Sequence, residues 1–394
     1  MICRCGEWPH LFFTPIIIIK FAQIFKENKM GLHCGIIGIA NCGKTTVFNC
    51  MSKTKAETSN FAFSSNKSNI GVISVPDARL KELEKFQPTD KLVPATVDIV
   101  DIPGLTKGSN HGEGVGNQFL ADIRNADALI HVLRCFDDDN LPHIDGSVDP
   151  VRDMETIDLE LQIKDIESIT KKIARMEKAA KVGDKEAKQA VEVLKIYQEH
   201  LENMQNARTA PVKEEDKKYI SDLFLLTSKP VMYVCNIDEG SIKDGNKYVD
   251  AVKKALEGSD VKILTIAASL ESEISELDTD EEKQEFLADY GLEEPSVNRI
   301  IRAAYDLLNL QSFFTVGPKE IRAWTIHKGE TAPEAAGVIH SDLQRGFIRA
   351  EVMKYNDFVT LGSENAVKNA GKFHVEGKTY VVEDGDILNI RFNV

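Results

Sequence analysis

The sequence lacks an apolar run long enough to cross a bilayer. The stretch from Leu11 to Ile19 is nearly all apolar but holds Pro15, and it is well short of the about 20 residues a spanning helix needs. Glu7 precedes it and no small-x-small cleavage site follows it, so a secretory leader is not indicated. Paired cysteines are also lacking. The seven cysteines (3, 5, 34, 42, 50, 135 and 235) are odd in number and scattered, none at zinc spacing, and Cys3-x-Cys5 is too close a pair to signal a metal. Excess positive charge is lacking too. Against 62 acidic residues there are 48 Lys and Arg, for a net charge of −14. Such a chain is not a general polyanion binder, and any nucleic-acid contact must use a local basic patch.

What is present centres on Gly38-Ile39-Ala40-Asn41-Cys42-Gly43-Lys44-Thr45, which fits G-x-x-x-x-G-K-[ST] at every fixed position. Cys34-Gly35-Ile36-Ile37 before it reads as a buried strand, and Thr46 to Met51 after it as the start of a helix. Glycine lets the backbone curl so that its N–H groups point at phosphate oxygens, and the helix N-terminus adds partial positive charge. Lys44 is expected to reach the terminal phosphates and the Thr45 hydroxyl to ligate Mg²⁺. Cys42 within the loop points to a reducing compartment, with packing its expected role. A length of 394 residues suggests two or three domains. Met30 reads as a second start, so residues 1–29 are expected to be a divergent, poorly ordered extension or a mis-called start. A targeting role is the minority reading.

Strand and helix alternate from Leu32 onward. Gly71–Val75 reads as a strand, Ala78–Phe86 as a helix, and Ala95–Val100 as a buried strand ending at Asp101. Asp101-Ile102-Pro103-Gly104 is a D-x-x-G element. Asp101 would hold Mg²⁺ through water, and the Gly104 N–H would sense the γ-phosphate. The glycine-rich Lys107–Gly116 follows directly and reads as a mobile switch. Ala128–Cys135 is a further strand, and the acidic loop after it holds His143. Met154 to Lys181 breaks the rhythm. Leu159, Ile163, Ile166, Ile169, Ile173, Met176 and Ala180 recur near a 3.5-residue period, and Ala190, Leu194, Tyr197, Leu201 and Met204 repeat it after a turn at 182–184. This pattern predicts an inserted antiparallel coiled-coil arm that projects, either as a partner-contacting lever or as a solvated hairpin.

The α/β pattern returns at Pro230–Cys235, a strand running into Asn236-Ile237-Asp238-Glu239, where a P-loop GTPase carries N-K-x-D. A helix over Asn246–Glu257, a strand over Val261–Ala267, one acidic helix over Glu271–Asp289 and a helix over Ser296–Leu308 are expected to close the domain. From Asn309 a smaller β-rich unit is expected, with strands at Lys319–His327, Tyr380–Val382 and Ile387–Phe392. Its basic residues allow an RNA-facing patch, although a solvated face is the default.

Phosphate loop, Asn60–Ser65, D-x-x-G with its glycine-rich extension, coiled-coil insert, Asn236–Glu239 and the Trp324-Thr325 unit fall in this order. In that order the chain from Met30 to Val394 resembles the YchF-type Obg-like ATPases, a branch of the translation-factor-related P-loop GTPases. The resemblance implies an α/β P-loop NTPase (GTPase-like) domain over 30–151 and 209–308. It also implies a coiled-coil insert over 152–208 and an α+β TGS-like domain over 309–394. Nucleotide would lie on Asn41, Cys42, Gly43, Lys44, Thr45 and Thr46. Mg²⁺ would be held by Thr45 and by Ser65, which stands where the family has a switch threonine and keeps its oxygen.

The resemblance further implies ATP preferred over GTP, or both accepted. Guanine specificity needs an aspartate fork, whereas Glu239 is one methylene longer and Ile237 replaces the stacking lysine. Adenine would be read by backbone near Ile237, with Asn236 holding the loop. Leu105 stands where Ras-like enzymes orient water with glutamine, so the catalytic group must come from elsewhere. The family's candidate matches His143, while Asn41 would admit K⁺. Implied partners are the ribosome and, through the TGS-like unit, RNA, with no membrane contact, for a cytoplasmic monomer. Two other readings remain open: a nucleotide-gated binding module in which hydrolysis is incidental, and a GTP-specific factor.

Overall fold

The computed structural model describes residues 32–53, 69–103 and 115–393. In chain order these form β1 (His33–Ile37), α1 (Lys44–Lys53), β2 (Asn69–Ser74), α2 (Ala78–Phe86), β3 (Leu92–Val93), β4 (Thr96–Asp101), α3 (Val115–Asn125) and β5 (Ala128–Cys135). Next come α4 (Pro150–Lys181), α5 (Lys185–Glu202), β6 (Val231–Ile237), α6 (Lys247–Ala255), β7 (Ile263–Ile266), α7 (Ala268–Ile274), α8 (Asp280–Asp289) and α9 (Ser296–Leu307). The C-terminal part adds β8 (Leu310–Val316), β9 (Ile321–His327), α10 (Ala332–Ile339), α11 (Ser341–Arg345), β10 (Phe347–Lys354), α12 (Tyr355–Leu361), α13 (Glu364–Asn369), β11 (His374–Glu376) and β12 (Asp386–Phe392). Among the described residues no helix is long and apolar enough to cross a membrane.

The first six-stranded sheet runs β2-β4-β1-β5-β6-β7. Its strands are parallel except β2, which pairs antiparallel to β4. Parallel strands covered on both faces need side chains that are apolar throughout, and every residue of β5 and β6 is buried. Because β1, β4, β6 and β7 run the same way, their carboxyl ends meet along one edge. That edge is where open α/β sheets bind ligands.

α4 begins at Pro150 behind an Asp149 N-cap and runs for 32 residues. With α5 it forms an antiparallel hairpin around Ile169, Ile173, Ala190, Leu194, Tyr197 and Leu201. The buried face differs from the expected seam at its base. Leu159 and Ile163 are 40% and 43% exposed, whereas Met154, Ile157, Leu161 and Asp165 are buried. The lower part of α4 packs on the sheet and on the segment after α5 rather than on α5 itself, so its buried stripe follows that neighbour. Ala207, Tyr219 and Leu225 join the hairpin core. The hairpin core therefore draws on residues beyond 208.

The second six-stranded sheet runs β11-β10-β12-β8-β9-β3. Its edge strand β3 comes from the first part of the chain and pairs parallel with β9. The C-terminal unit thus recruits Leu92–Val93 from far outside 309–394. Two local expectations are corrected. The acidic helix of 271–289 is split into α7 and α8, because Thr279 and Glu282 form a capping box that starts a new helix. Tyr380–Val382 is not a strand; it makes a single bridge between Val381 and Thr331.

Candidate functional site

The loop after β1 has the backbone that its sequence demands. Gly43 has φ +96°, and a Cβ there would lie 2.3 Å from Asn236 Nδ2. Gly38 has φ +152°, with the carbonyl oxygen of Val132 2.5 Å from where a Cβ would stand. Asn41 takes φ +63°, a left-handed conformation that asparagine tolerates better than most residues. Left-handed residues alternating with ordinary ones turn successive N–H groups into one concavity. α1 starts at Lys44, which aims its N-terminus into the same concavity.

Four side chains from three elements converge there. Lys44 is 7% exposed and donates through Nζ to the Ile39 carbonyl at 2.6 Å. Thr45 Oγ1 donates to Asp101 Oδ2 at 3.0 Å. Asp101 ends β4 and is largely buried; burial pushes its carboxyl pKa up, against the Thr45 hydrogen bond and the Lys44 charge. Asn236, near the end of β6, donates through Nδ2 to the Cys42 carbonyl at 3.0 Å and accepts from the Ala268 N–H at 3.1 Å. The hydroxyl–carboxylate pair of Thr45 and Asp101 is a set of hard oxygen donors that suits Mg²⁺. Cys42 is fully buried and burial raises its thiol pKa, which makes it a packing residue rather than a reactive thiolate.

Thr46 is exposed at the loop mouth. Ile237 is 4% exposed, so only its backbone can meet a base. Glu239 is exposed on the turn after β6, with the Tyr290 hydroxyl 3.5 Å from its Oε2. Ser65, Gly104 and Leu105 lie outside the described residues, as do the extension 1–29 and nearly all of the loops Glu57–Asn69 and Lys107–Gly116.

Two family models match the chain. One, over residues 33–194, is described as a 50S ribosome-binding GTPase. The other, over residues 310–393, is a YchF GTPase C-terminal model described as a protein of unknown function. The protein named ribosome-binding ATPase YchF from Haemophilus influenzae is 46% identical over 365 residues, which is 93% of this chain and 100% of that protein. Its namesake from Bacillus subtilis is 45% identical over 367 residues with the same coverage. The solved structure of the Schizosaccharomyces pombe YchF GTPase matches with a TM-score of 0.82 at 34% identity, over 92% of this chain and 98% of that one. The chain belongs to the YchF family. It is a P-loop nucleoside triphosphate hydrolase.

Within this YchF chain the geometry around His143 differs from that of a free surface histidine. Its side chain is 3% exposed and its Nε2 lies 2.9 Å from Asp153 Oδ2. The residue before it touches the phosphate loop, since Asn41 Nδ2 donates to the Pro142 carbonyl at 3.3 Å. Sequence reasoning missed two residues that organise this loop. Arg134 is 1% exposed and donates to the carbonyls of Phe136, Leu141 and Asp138. Asp153 takes the histidine. Arg134 had a readable signal, a lone charge inside an otherwise apolar strand. Asp153 had none, because an acid in the first turns of a helix is ordinary.

Proposed function

We propose that this chain hydrolyses the β–γ bond of ATP, and of GTP less readily, in a Mg²⁺-dependent reaction that acts as a nucleotide-controlled switch at the ribosome. The observation that carries the reading is the convergence of Lys44, Thr45, Asp101 and Asn236 on one left-handed loop at the carboxyl edge of the sheet. Lys44 turns from the Ile39 carbonyl to the terminal phosphates. Asn41 to Thr46 bind the phosphates through backbone N–H groups. Thr45 and Asp101, joined by Ser65, are the residues that would hold Mg²⁺, which neutralises charge on the phosphate oxygens. Positioning and charge neutralisation supply most of the rate.

The base reading follows from Asn236–Glu239. With Ile237 buried and Glu239 lying against Tyr290, the planar aspartate fork that reads guanine is missing. Adenine is read by backbone near Ile237 while Asn236 holds the loop. Nothing among the described residues or in the family matches supports K⁺ at Asn41. The segments holding Ser65, Gly104 and Leu105 respond to the nucleotide, and the hairpin, as a coiled-coil arm, and the C-terminal TGS-like unit meet the ribosome or its RNA. Support for the ribosome comes from the names of the relatives. A cytoplasmic monomer fits this reading.

Lys44→Ala tests the site. Steady-state ATP hydrolysis should fall by about 100-fold or more while the fold is retained, and unchanged turnover refutes the assignment. One observation favours a second reading, a nucleotide-gated module in which hydrolysis is incidental: both ring nitrogens of His143 are already engaged. A His143→Ala variant separates the two. Lost turnover with intact ribosome binding and release favours gating by occupancy. Lost release favours hydrolysis as the timer.

A further inference from the structure

The loop between β5 and α4 is fastened at several independent points. The Arg134 guanidinium donates to Leu141 O at 2.8 Å and Phe136 O at 3.2 Å, and lies 4.8 Å from the centre of the Phe136 ring. Asn41 holds Pro142 from the phosphate-loop side. His143 closes the loop with both ring nitrogens. Its Nδ1 accepts from the Asp145 N–H at 3.1 Å, and its Nε2 faces Asp153 Oδ2 at 2.9 Å. A neutral imidazole has one N–H. A backbone N–H can only donate, so Nδ1 must be the lone-pair nitrogen and the proton must stand on Nε2.

The charged groups around the ring are Asp153, Asp145 and Arg152. Arg152 Nη2 lies 3.2 Å from Asp153 Oδ1, and its Nε lies 3.8 Å from Asp145 Oδ2. Ligand atoms of His143, Asp145 and Asp153 lie within 4.8 Å of one another, close enough to suggest a cation. The guanidinium already provides the positive charge against both carboxylates, so the cluster reads as an orienting network instead.

The two bonds to the ring are unequal. Nε2–H to a carboxylate is charge-assisted, and such bonds are roughly twice as strong as neutral ones. Breaking it would also leave Oδ2 of a carboxylate that is 2% exposed without this donor, since Arg152 bonds Oδ1. The bond from Asp145 N–H is neutral and local, so Nδ1 is the nitrogen released at lower cost. We propose that Asp153 is a positioning residue for the hydrolytic reaction: it fixes His143 in the Nε2–H tautomer and leaves Nδ1 as the atom that accepts a hydrogen bond from the attacking water. This rests on the reading of His143 as the water-orienting group. The logic is that by which a buried aspartate holds a histidine in the working tautomer in other hydrolases, with the two ring nitrogens exchanged.

The test uses the full chain and its Asp153→Asn, His143→Ala and doubly substituted variants, with Mg²⁺ and ATP. Asparagine fills the same space but can donate to the ring, which lets the other tautomer form. For Asp153→Asn the expected result is a kcat lower by about 10- to 100-fold, a part of the roughly 100-fold or more that a positioned acid–base group contributes. KM should stay within about twofold. The double variant should be no slower than His143→Ala alone, because the two residues act as one unit. Nitrogen-15 NMR of the imidazole groups supplies a readout that a merely structural aspartate would not move. His143 of the unsubstituted chain should carry its proton on Nε2, and Asp153→Asn should shift population toward Nδ1–H. An Nδ1–H resonance in the unsubstituted chain overturns the proposal whether or not the variants fold. So does an Asp153→Asn protein with unchanged kcat beside an inactive His143→Ala. Full turnover by His143→Ala removes the reading on which the proposal rests.

Discussion

His131 lies in the middle of β5, 1% exposed, with its ring 5.5 Å from that of Tyr233 and its Nε2 without a hydrogen-bond partner among the described residues. Burial, then the charges of Arg208 and Lys44, push its pKa down to about 3. The folded chain keeps the ring neutral, whereas the unfolded chain binds a proton near its ordinary value of about 6.5. The stability that depends on this is fully present above about 6.5 and is lost as pH falls from about 6.5 toward about 3. His131→Leu should remove that loss. Chemical denaturation at pH 7 and pH 5 should show the variant losing less stability than the parent, by about 2 kcal/mol. An equal loss in both would contradict the burial argument. Residues of this kind were only partly legible in the sequence. Lys44, Thr45, Asp101 and Asn236 could be named because each lies in a short motif, the phosphate loop, D-x-x-G and N-x-x-E. His131 and Asp153 could not, because each acquires its role only from the surroundings the fold gives it, and Arg134, though readable as a charge in an apolar strand, gave no sign of the loop carbonyls it holds. His143 was legible as a candidate, but its burial against Asp153 was not.

At the scale of the element, the hairpin is held by two kinds of contact. Toward its tip the apolar seam of α4 and α5 matches the periodicity in the sequence. At its base, polar side chains of α4 take over. Gln162 donates to Asn206, and Asn206 to Asp158, each at 2.9 Å. Asp165 accepts from the Leu226 N–H and Thr227 N–H at 2.8 Å and from the Thr227 hydroxyl at 2.7 Å. Asp158, Gln162 and Asp165 share one face by helical spacing, yet in sequence they read as a solvated face. That is why the packing of residues 206–227 on the hairpin was not legible. These bonds make the base of the arm a rigid root. Asp165→Ala leaves buried donors without an acceptor, each costing about 1–3 kcal/mol. The variant should be destabilised by about 2–5 kcal/mol in denaturant unfolding, and a change below about 1 kcal/mol would show that the root is not set by this carboxylate.

For the whole molecule, α2 joins the two sheets. Arg79 forks between Asp77 and Asp384, the latter at 2.7 Å, and lies 5.0 Å from the centre of the Phe314 ring. Glu82 accepts from the Tyr355 hydroxyl at 2.6 Å, and Phe86 meets Phe358 edge-on at 6.4 Å. β3 adds a strand to the second sheet, and the chain then runs through β4 to Asp101. The C-terminal unit is therefore docked on the segment that leads into the candidate Mg²⁺ site. The order of motifs made the α/β domain and a separate C-terminal unit legible. The docking was not, because it depends on a two-residue strand and on single side chains without a pattern. The α4 hairpin is tied to the phosphate loop through Pro142, His143 and Asp153. A nucleotide held as proposed would sit on the loop whose Thr45 bonds Asp101 and whose Asn41 bonds the Pro142 carbonyl, and its identity is the central claim. The direct measurement is displacement of labelled ATP by unlabelled ATP and GTP on the purified full chain with Mg²⁺. ATP should displace the label at lower concentration than GTP, because Glu239 and the buried Ile237 provide no guanine fork. Displacement by GTP at equal or lower concentration would contradict that claim.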